Sequence, residues 1–310
     1  MRFLIVGAGA LGGYYGGMLV KGGADVTFLV RPARAAQLAE HGLIIREPDG
    51  EFQTPVKSVQ PGGVGGPYDL VFVSCKAYDL ESAIDQFGPA LAADGAALPV
   101  LNGINHIDIL ADRLGTDRVL GGVTRFSVVR NPDGVIVRPG VGAWQTSFGE
   151  LSGERSARCE AIHAAFTAGG VPTEISDNIV AEMWAKFSGF AGATAIAVLT
   201  RGRAGEIARA AAGAGFVMAA LAESDRIATA EGYPMSAAIR DIYVDVFSQR
   251  TSDAAPSMLY DLENGRPTES EHIFGDMVRR AERHFIAAPI LTAALCNLQV
   301  YEARRKAVVH

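Results

Sequence analysis

Phe3-Leu4-Ile5-Val6-Gly7-Ala8-Gly9-Ala10-Leu11-Gly12 is a short apolar run that breaks directly into a GxGxxG motif. In a chain with 36 glycines the motif alone carries little weight. Its setting carries more, because the run before it reads as a buried strand and residues 14–21 after it have helical periodicity. The glycines fall at a strand-to-helix turn, where the lack of side chains lets a pyrophosphate approach free N–H groups at the positive end of a helix dipole. On this reading Gly7, Ala8, Gly9, Ala10, Leu11 and Gly12 form a dinucleotide cradle.

Working outward, residues 25–30, 70–74, 97–101 and 118–123 are further apolar runs bounded by Gly, Pro or polar residues, with room between them for crossover helices. With residues 3–6 they predict an α/β fold with a doubly wound, Rossmann-type sheet. Residues 135–138 and 144–148, separated by the turn signal Pro139-Gly140-Val141-Gly142, predict antiparallel strands added at the edge of that sheet. After about Ser176 the sequence turns to helical stretches rich in Ala, Glu and Arg. Predicted helices cover residues 178–199, with Asp177 as N-cap, then 203–231, 269–284 and 290–305, and Ala210-Ala211-Ala212 reads as the interior of the second. The expected organisation is a cofactor domain over residues 1–175 and an all-helical substrate domain over residues 176–310.

The end of the second strand bears on which nicotinamide cofactor fits. Enzymes that use NAD usually place Asp or Glu there to hold the ribose 2′-hydroxyl. Here the strand ends Phe28-Leu29-Val30-Arg31-Pro32-Ala33-Arg34, with a guanidinium where the carboxylate belongs, which favours NADP (NADPH). Asp25 lies at the wrong end of the strand. Lys76, just past residues 70–74, shares the carboxyl edge where open α/β sheets bind ligands and adds positive charge. Asn102-Gly103, after residues 97–101, sits on the same edge; its side chain can donate and accept at once, although the pair is also a common turn dipeptide.

Composition narrows the class. The 310 residues predict two domains, and 49% hydrophobic residues with 20% charged exclude a disordered chain. A net charge of −6 argues against nucleic acid as a partner. No stretch reaches the roughly 18 apolar residues of a membrane span. Cys75, Cys159 and Cys296 form neither a disulfide framework nor a zinc pattern, which fits a reducing, cytoplasmic setting. The six histidines show no metal spacing; His106 is the one placed to touch a ligand, and His272 reads as exposed. A homodimer is the default expectation for such Ala-rich helices.

Two segments of the second half extend the argument. Glu182-Met183-Trp184-Ala185-Lys186-Phe187 resembles the helical Trp-x-Lys motif of the ketopantoate reductase (2-dehydropantoate 2-reductase) family. Ser257-Met258-Leu259-Tyr260-Asp261-Leu262 through Gly265-Arg266-Pro267-Thr268-Glu269 resembles its Ser-Met-Leu-x-Asp…Arg-x-Thr-Glu segment. With the glycine fingerprint, Lys76 and Asn102-Gly103, the resemblance covers nearly the whole chain. It implies NADPH-dependent reduction of a small 2-keto acid to a 2-hydroxy acid, ketopantoate to pantoate in pantothenate synthesis, with the active site between two domains.

Carried over by position, Lys186 would be the general acid, Asn102 would contact cofactor and substrate, Ser257 would bind the substrate carboxylate, and Glu269 would contact the cofactor and support the lysine. Where the family's main pattern has three substrate-holding asparagines, this chain has Phe190, Thr194 and Ala204. Phe190, one turn beyond Lys186, and Thr194 are then the candidate substrate contacts, and the pocket is expected to be more apolar. Two alternatives stay open: a reductase of a more apolar 2-keto acid or ketone outside pantothenate synthesis, and a non-catalytic NADP-binding sensor. Arg201 and Arg203 offer either a new polar contact in the pocket or a cap on the C-terminus of the lysine helix, the second being the simpler reading.

Overall fold

The computed structural model of the protein describes residues 1–140 and 144–308. Val141 and Gly142, named above, lie outside the described residues, as does His310, one of the six histidines. By their internal contacts the residues fall into two units, Met1–Leu101 with His106–Val180, and Asn102–Asn105 with the chain from Ala181 onward.

In the first unit, five parallel strands lie in the order Lys57–Val59, Asp25–Leu29, Arg2–Val6, Tyr68–Val73, Leu91–Pro99. The chain winds to one side of Arg2–Val6 and then to the other, so the turn after this strand is the switch point of the sheet. Both faces are covered, which is why the strands read as continuous apolar runs. Phe3 and Ile5 join Phe28, Leu70 and Phe72 in one core, while Leu4 and Val6 join Val71, Val73 and Ala97 in the other. Each of these buried side chains larger than alanine contributes about 1.5–3 kcal/mol. The helix Ala10–Lys21 is poor in helix formers but lies against the sheet: a Cβ on Gly16 would stand 2.5 Å from the Phe28 ring.

Several expected pairings are corrected. The run at 118–123 forms Leu120–Arg125, which among the described residues meets the parallel sheet in a bridge from Val119 to Ala97 and through Gly122, where a Cβ would lie 2.5 Å from the Pro99 carbonyl oxygen. It belongs to a second sheet, in the order Thr173–Ile175, Gln145–Glu150, Leu120–Arg125, where Phe148 pairs with Gly122 across an antiparallel ladder. Ile136–Val137 does not pair with Gln145–Glu150. It joins a four-stranded sheet between Leu43–Glu47 and Val129–Arg130 because Ile136 is fully buried against the glycine-rich helix, where a Cβ on Gly13 would lie 2.1 Å from its Cδ1.

The second unit is helical, as expected. It comprises Ile179–Thr200, Ala204–Arg209, Gly213–Ala230, Ala237–Ser248, Ser257–Glu263, a π-turn Glu271–Gly275 continuing into Asp276–Arg283, and Pro289–Val308. The first helix starts at Ile179, so Asp177 is not its N-cap; instead the Ser176 hydroxyl accepts from the Asn178 amide at 3.1 Å. Ala210–Ala212 is not helical but a turn, since Gly213 must come so close to the Ile207 carbonyl that a Cβ would lie 1.9 Å from it. Among the described residues, no helix is long and apolar enough to cross a membrane.

Candidate active site

The glycine-rich turn has the shape of a cradle. Gly7 takes φ +91°, open to glycine and strained for other residues. A Cβ on Gly12 would lie 2.0 Å from the Gly7 carbonyl oxygen and 2.1 Å from Ser74 Oγ, so the helix starts hard against the strand ends. Gly9 differs: it is exposed, no side chain caps the helix there, and its Cβ position meets nothing within 4 Å. First-turn amides therefore face open space beside Gly9, which fits the pyrophosphate of a dinucleotide.

Two arginines flank this turn in different ways. Arg31 is the N-cap residue of the helix Pro32–His41, is 74% exposed, and pairs with Asp79 at 2.6 Å. Asp79 lies in the short turn that follows Lys76, so the pair ties together the loops after the two strands that flank Arg2–Val6. Lys76 is half-buried on that edge. Arg34 turns back to the cradle, its Nε donating to the Ala8 carbonyl at 3.1 Å. Burial and the nearby Arg130 push its guanidinium down to about 10, still charged at neutral pH. Asp25 sits at the far end of its strand, paired with Lys57 at 2.7 Å.

In the helical unit the structure brings Lys186 and Asn102 together. Lys186 Nζ donates to Asn102 Oδ1 at 3.3 Å, and both residues are half-buried. The helix is held there from behind: Gly189 has no side chain, the Tyr243 ring occupies the space its Cβ would need, and the Tyr243 hydroxyl donates to the Lys186 carbonyl at 3.4 Å. Glu269 is half-buried at the start of the next site segment. Its neighbour Thr268 is anchored through its amide and hydroxyl, which donate to Glu302 at 2.6 and 2.9 Å. Burial works against the Glu302 charge, but the Thr268 donors and Arg305 outweigh it and hold the carboxyl below the usual carboxylate range.

Ser257 is exposed, the first residue of the helix Ser257–Glu263 after Pro256. Arg203 does not cap the lysine helix; it lies over the Tyr260 ring at 4.9 Å and donates to the Tyr260 hydroxyl at 2.9 Å, tying down the Ser257 helix. Arg201 takes φ +53° just past the lysine helix, the left-handed residue that ends it. Of the three positions that the resemblance singled out, Phe190 is half-buried, whereas Thr194 is fully buried and Ala204, 2% exposed, lies in the apolar core with Ile207 and Leu221.

Two histidine expectations change. His106, in the first turn of Asn105–Leu114, is fully buried rather than poised for a ligand. His272, expected to be exposed, is 9% exposed, and a ring N–H donates to the Asn102 backbone carbonyl. Tyr243 and His272 had no motif to announce them.

Comparison with known proteins agrees with this arrangement. Residues 3–153 match the family described as Ketopantoate reductase PanE/ApbA, and residues 178–302 match Ketopantoate reductase PanE/ApbA C terminal. An uncharacterized oxidoreductase, YkpB, of Bacillus subtilis (strain 168) is 33% identical over 98% of this chain and 100% of the relative. A 2-dehydropantoate 2-reductase of Halobacterium salinarum is 32% identical over 94% of this chain and 95% of its own length. In fold, the chain resembles D-mandelate dehydrogenase solved with NADH and anilino(oxo)acetate, with a TM-score of 0.88 at 22% identity over 99% and 100% of the two chains. From the cradle at one end to the lysine helix at the other, this chain belongs to the ketopantoate reductase family and is an oxidoreductase that works with a nicotinamide cofactor.

Proposed function

We propose that the chain uses NADPH to reduce a 2-keto acid of the ketopantoate type to its 2-hydroxy acid. The observation that carries this reading is the 3.3 Å contact between Lys186 Nζ and Asn102 Oδ1. The bound cofactor supplies hydride to the keto carbon. Lys186, an ammonium with three donors and one of them given to Asn102, stabilises the charge that develops on the keto oxygen and protonates it. Asn102 keeps its Nδ2 for cofactor or substrate. Glu269, its segment anchored by Glu302, supports the lysine, and Ser257 takes the substrate carboxylate. Gly7 to Gly12 hold the pyrophosphate. Arg31, whose exposed guanidinium pairs with Asp79, and Lys76 would hold the 2′-phosphate of NADPH.

A second reading of the substrate is favoured by Phe190. Where the family's main pattern has an asparagine, a half-buried phenyl one turn from Lys186 gains nothing from a substrate hydroxyl and packs against an apolar side chain. NADPH oxidation with ketopantoate, 2-ketoisovalerate and a bulkier unhydroxylated 2-keto acid decides between the two. Preference for ketopantoate supports the pantothenate-type reaction, preference for an unhydroxylated acid the apolar one, and tight NADPH binding without oxidation of any of them overturns both. The three cysteines, all free thiols, support a cytoplasmic setting.

A further inference from the structure

We infer that His272 is a positioning residue for the reduction, holding the Asn102-Gly103 turn so that the Asn102 amide meets Lys186; the inference rests on the role proposed for Lys186. The imidazole belongs to the π-turn Glu271–Gly275, three residues after Glu269. It grips the turn twice. One ring N–H donates to the Asn102 backbone carbonyl. The ring also closes the space beside the next residue, since a Cβ on Gly103 would lie 3.0 Å from His272 Cδ2 and 3.1 Å from Nε2. Gly103 meets this with φ +86°, which a residue bearing a side chain rarely adopts.

The consequence follows from peptide geometry. The Asn102 carbonyl and the Gly103 nitrogen share one plane, so fixing the carbonyl fixes the Asn102 Cα and the direction of its side chain. Two short torsions then lead to Oδ1, 3.3 Å from Lys186 Nζ. Without the imidazole the carbonyl loses its donor and the turn one of its walls. The lysine then loses the acceptor that orients it, and a misplacement of about 1 Å costs roughly 100-fold in rate. The ring also suits the task in its charge. Burial lowers its basicity, with Arg279 acting in the same direction and the carboxylates of Glu269 and Asp276 opposing. A neutral imidazole has one N–H to give and brings no second cation toward Lys186.

The test uses the full chain with His272→Phe, His272→Gln and His272→Asn. One readout is NADPH-dependent turnover of the best 2-keto acid. The other needs no substrate: acetylation of Lys186 by dilute acetic anhydride, measured by mass spectrometry against the exposed Lys21 and Lys306. We expect His272→Phe, which keeps an apolar ring and loses the donor, to lower kcat by about 30- to 100-fold. NADPH affinity should stay unchanged, and Lys186 should acetylate severalfold faster relative to the two reference lysines. Gln or Asn, whose amides can donate, should recover most of the loss. In an Asn102→Ala background the His272 substitutions should cost little more, because the residue acts through Asn102.

Unchanged turnover or unchanged Lys186 acetylation in His272→Phe overturns the inference, as does an equal loss in all three variants. If His272→Phe does not fold, His272→Met takes its place. If neither folds, the Gln and Asn variants decide: additive losses in the Asn102→Ala background overturn the inference and absent ones support it. A Lys186→Ala control separates the two readings. Retained turnover there sinks the proposed chemistry, while the acetylation comparison still judges His272.

Discussion

The side-chain oxygen of Asn102 lies 3.3 Å from the Lys186 ammonium nitrogen, although 84 residues separate them in the chain. The contact joins a cation with three N–H donors to an amide that can both accept and donate. If the lysine is the proton donor, Lys186→Ala lowers kcat by about 100-fold or more while NADPH affinity, for which the proposed reading gives Lys186 no part, hardly changes. Turnover and fluorescence-monitored NADPH binding check this together. Full turnover in the variant would remove Lys186 from the chemistry.

Gly9 and Gly12 should respond oppositely to the same methyl group. Gly12→Ala forces a Cβ within 2.1 Å of both the Gly7 carbonyl and Ser74 Oγ, so the strand–helix junction must shift. Its thermal midpoint should fall by several degrees, a few kcal/mol of overpacking. Gly9→Ala meets no protein atom within 4 Å and should melt with wild type. It should nevertheless weaken NADPH and NADH alike, because the methyl occupies space reserved for phosphate. Undiminished cofactor binding by Gly9→Ala would place the pyrophosphate elsewhere.

Much of this was legible in the sequence where a local pattern had one physical cause. Strands buried on both faces read as unbroken apolar runs, and the first of them led directly to the cradle. The short, half-exposed strands Gly50–Thr54 and Lys57–Val59 carry no such run and gave no signal. The Ala210–Ala212 turn was hidden because alanine is the strongest helix former, and only the approach of Gly213 to Ile207 breaks the helix. His272 was misread for a different reason. At helical spacing it lines up with Asp276 and Arg280, which looks like a solvated face. That face is buried: Arg280 donates to Asp276 at 2.9 Å and to Glu231 at 2.7 Å, so paired charges take the place of apolar residues. The pairing of Asn102 with Lys186 lies in tertiary structure that no spacing encodes, and only the motif resemblance pointed to it.

Arg31 and Arg34 should separate two effects that the sequence left merged. Arg31 is exposed and pairs with Asp79 at the surface, whereas Arg34 holds the Ala8 carbonyl. Arg31→Ala should weaken NADPH by about tenfold or more and leave NADH nearly unchanged, since only the 2′-phosphate is affected. Arg34→Ala should weaken both cofactors by similar factors, because it loosens the cradle they share. Dissociation constants for both cofactors and both variants test this. Equal losses in Arg31→Ala would show that the 2′-phosphate is read by other residues.

Glu302 supplies a stability prediction in pH. Its folded carboxyl titrates below the ordinary value of 4.5, the Thr268 and Arg305 contacts outweighing burial. A group lowered on folding contributes stability in full above its unfolded value, and that contribution drains as pH falls through the lower folded value. Wild type should therefore exceed Glu302→Gln in stability at neutral pH, with the gap narrowing steadily below about pH 4.5. Urea melts of both proteins across acid pH measure it. A gap independent of pH would mean that the Glu302 charge does not hold the Thr268 anchor.

On the proposed reading, Phe190 is the position at which substrate choice can be altered without touching the chemistry. Of the three positions that the resemblance singled out it is the one with substantial exposed surface; Thr194 is fully buried and Ala204 is 2% exposed. A site that pairs a substrate hydroxyl discriminates strongly against analogues lacking it, and a phenyl wall does not. Phe190→Asn should therefore raise kcat/KM for ketopantoate relative to 2-ketoisovalerate by about tenfold, the worth of one well-placed hydrogen bond. The corresponding changes at Thr194 and Ala204 should instead destabilise the helical unit, because each puts an amide into packed apolar surroundings. If Phe190→Asn leaves the ratio unchanged while Ala204→Asn shifts it, the substrate meets the helix end rather than the face one turn beyond Lys186.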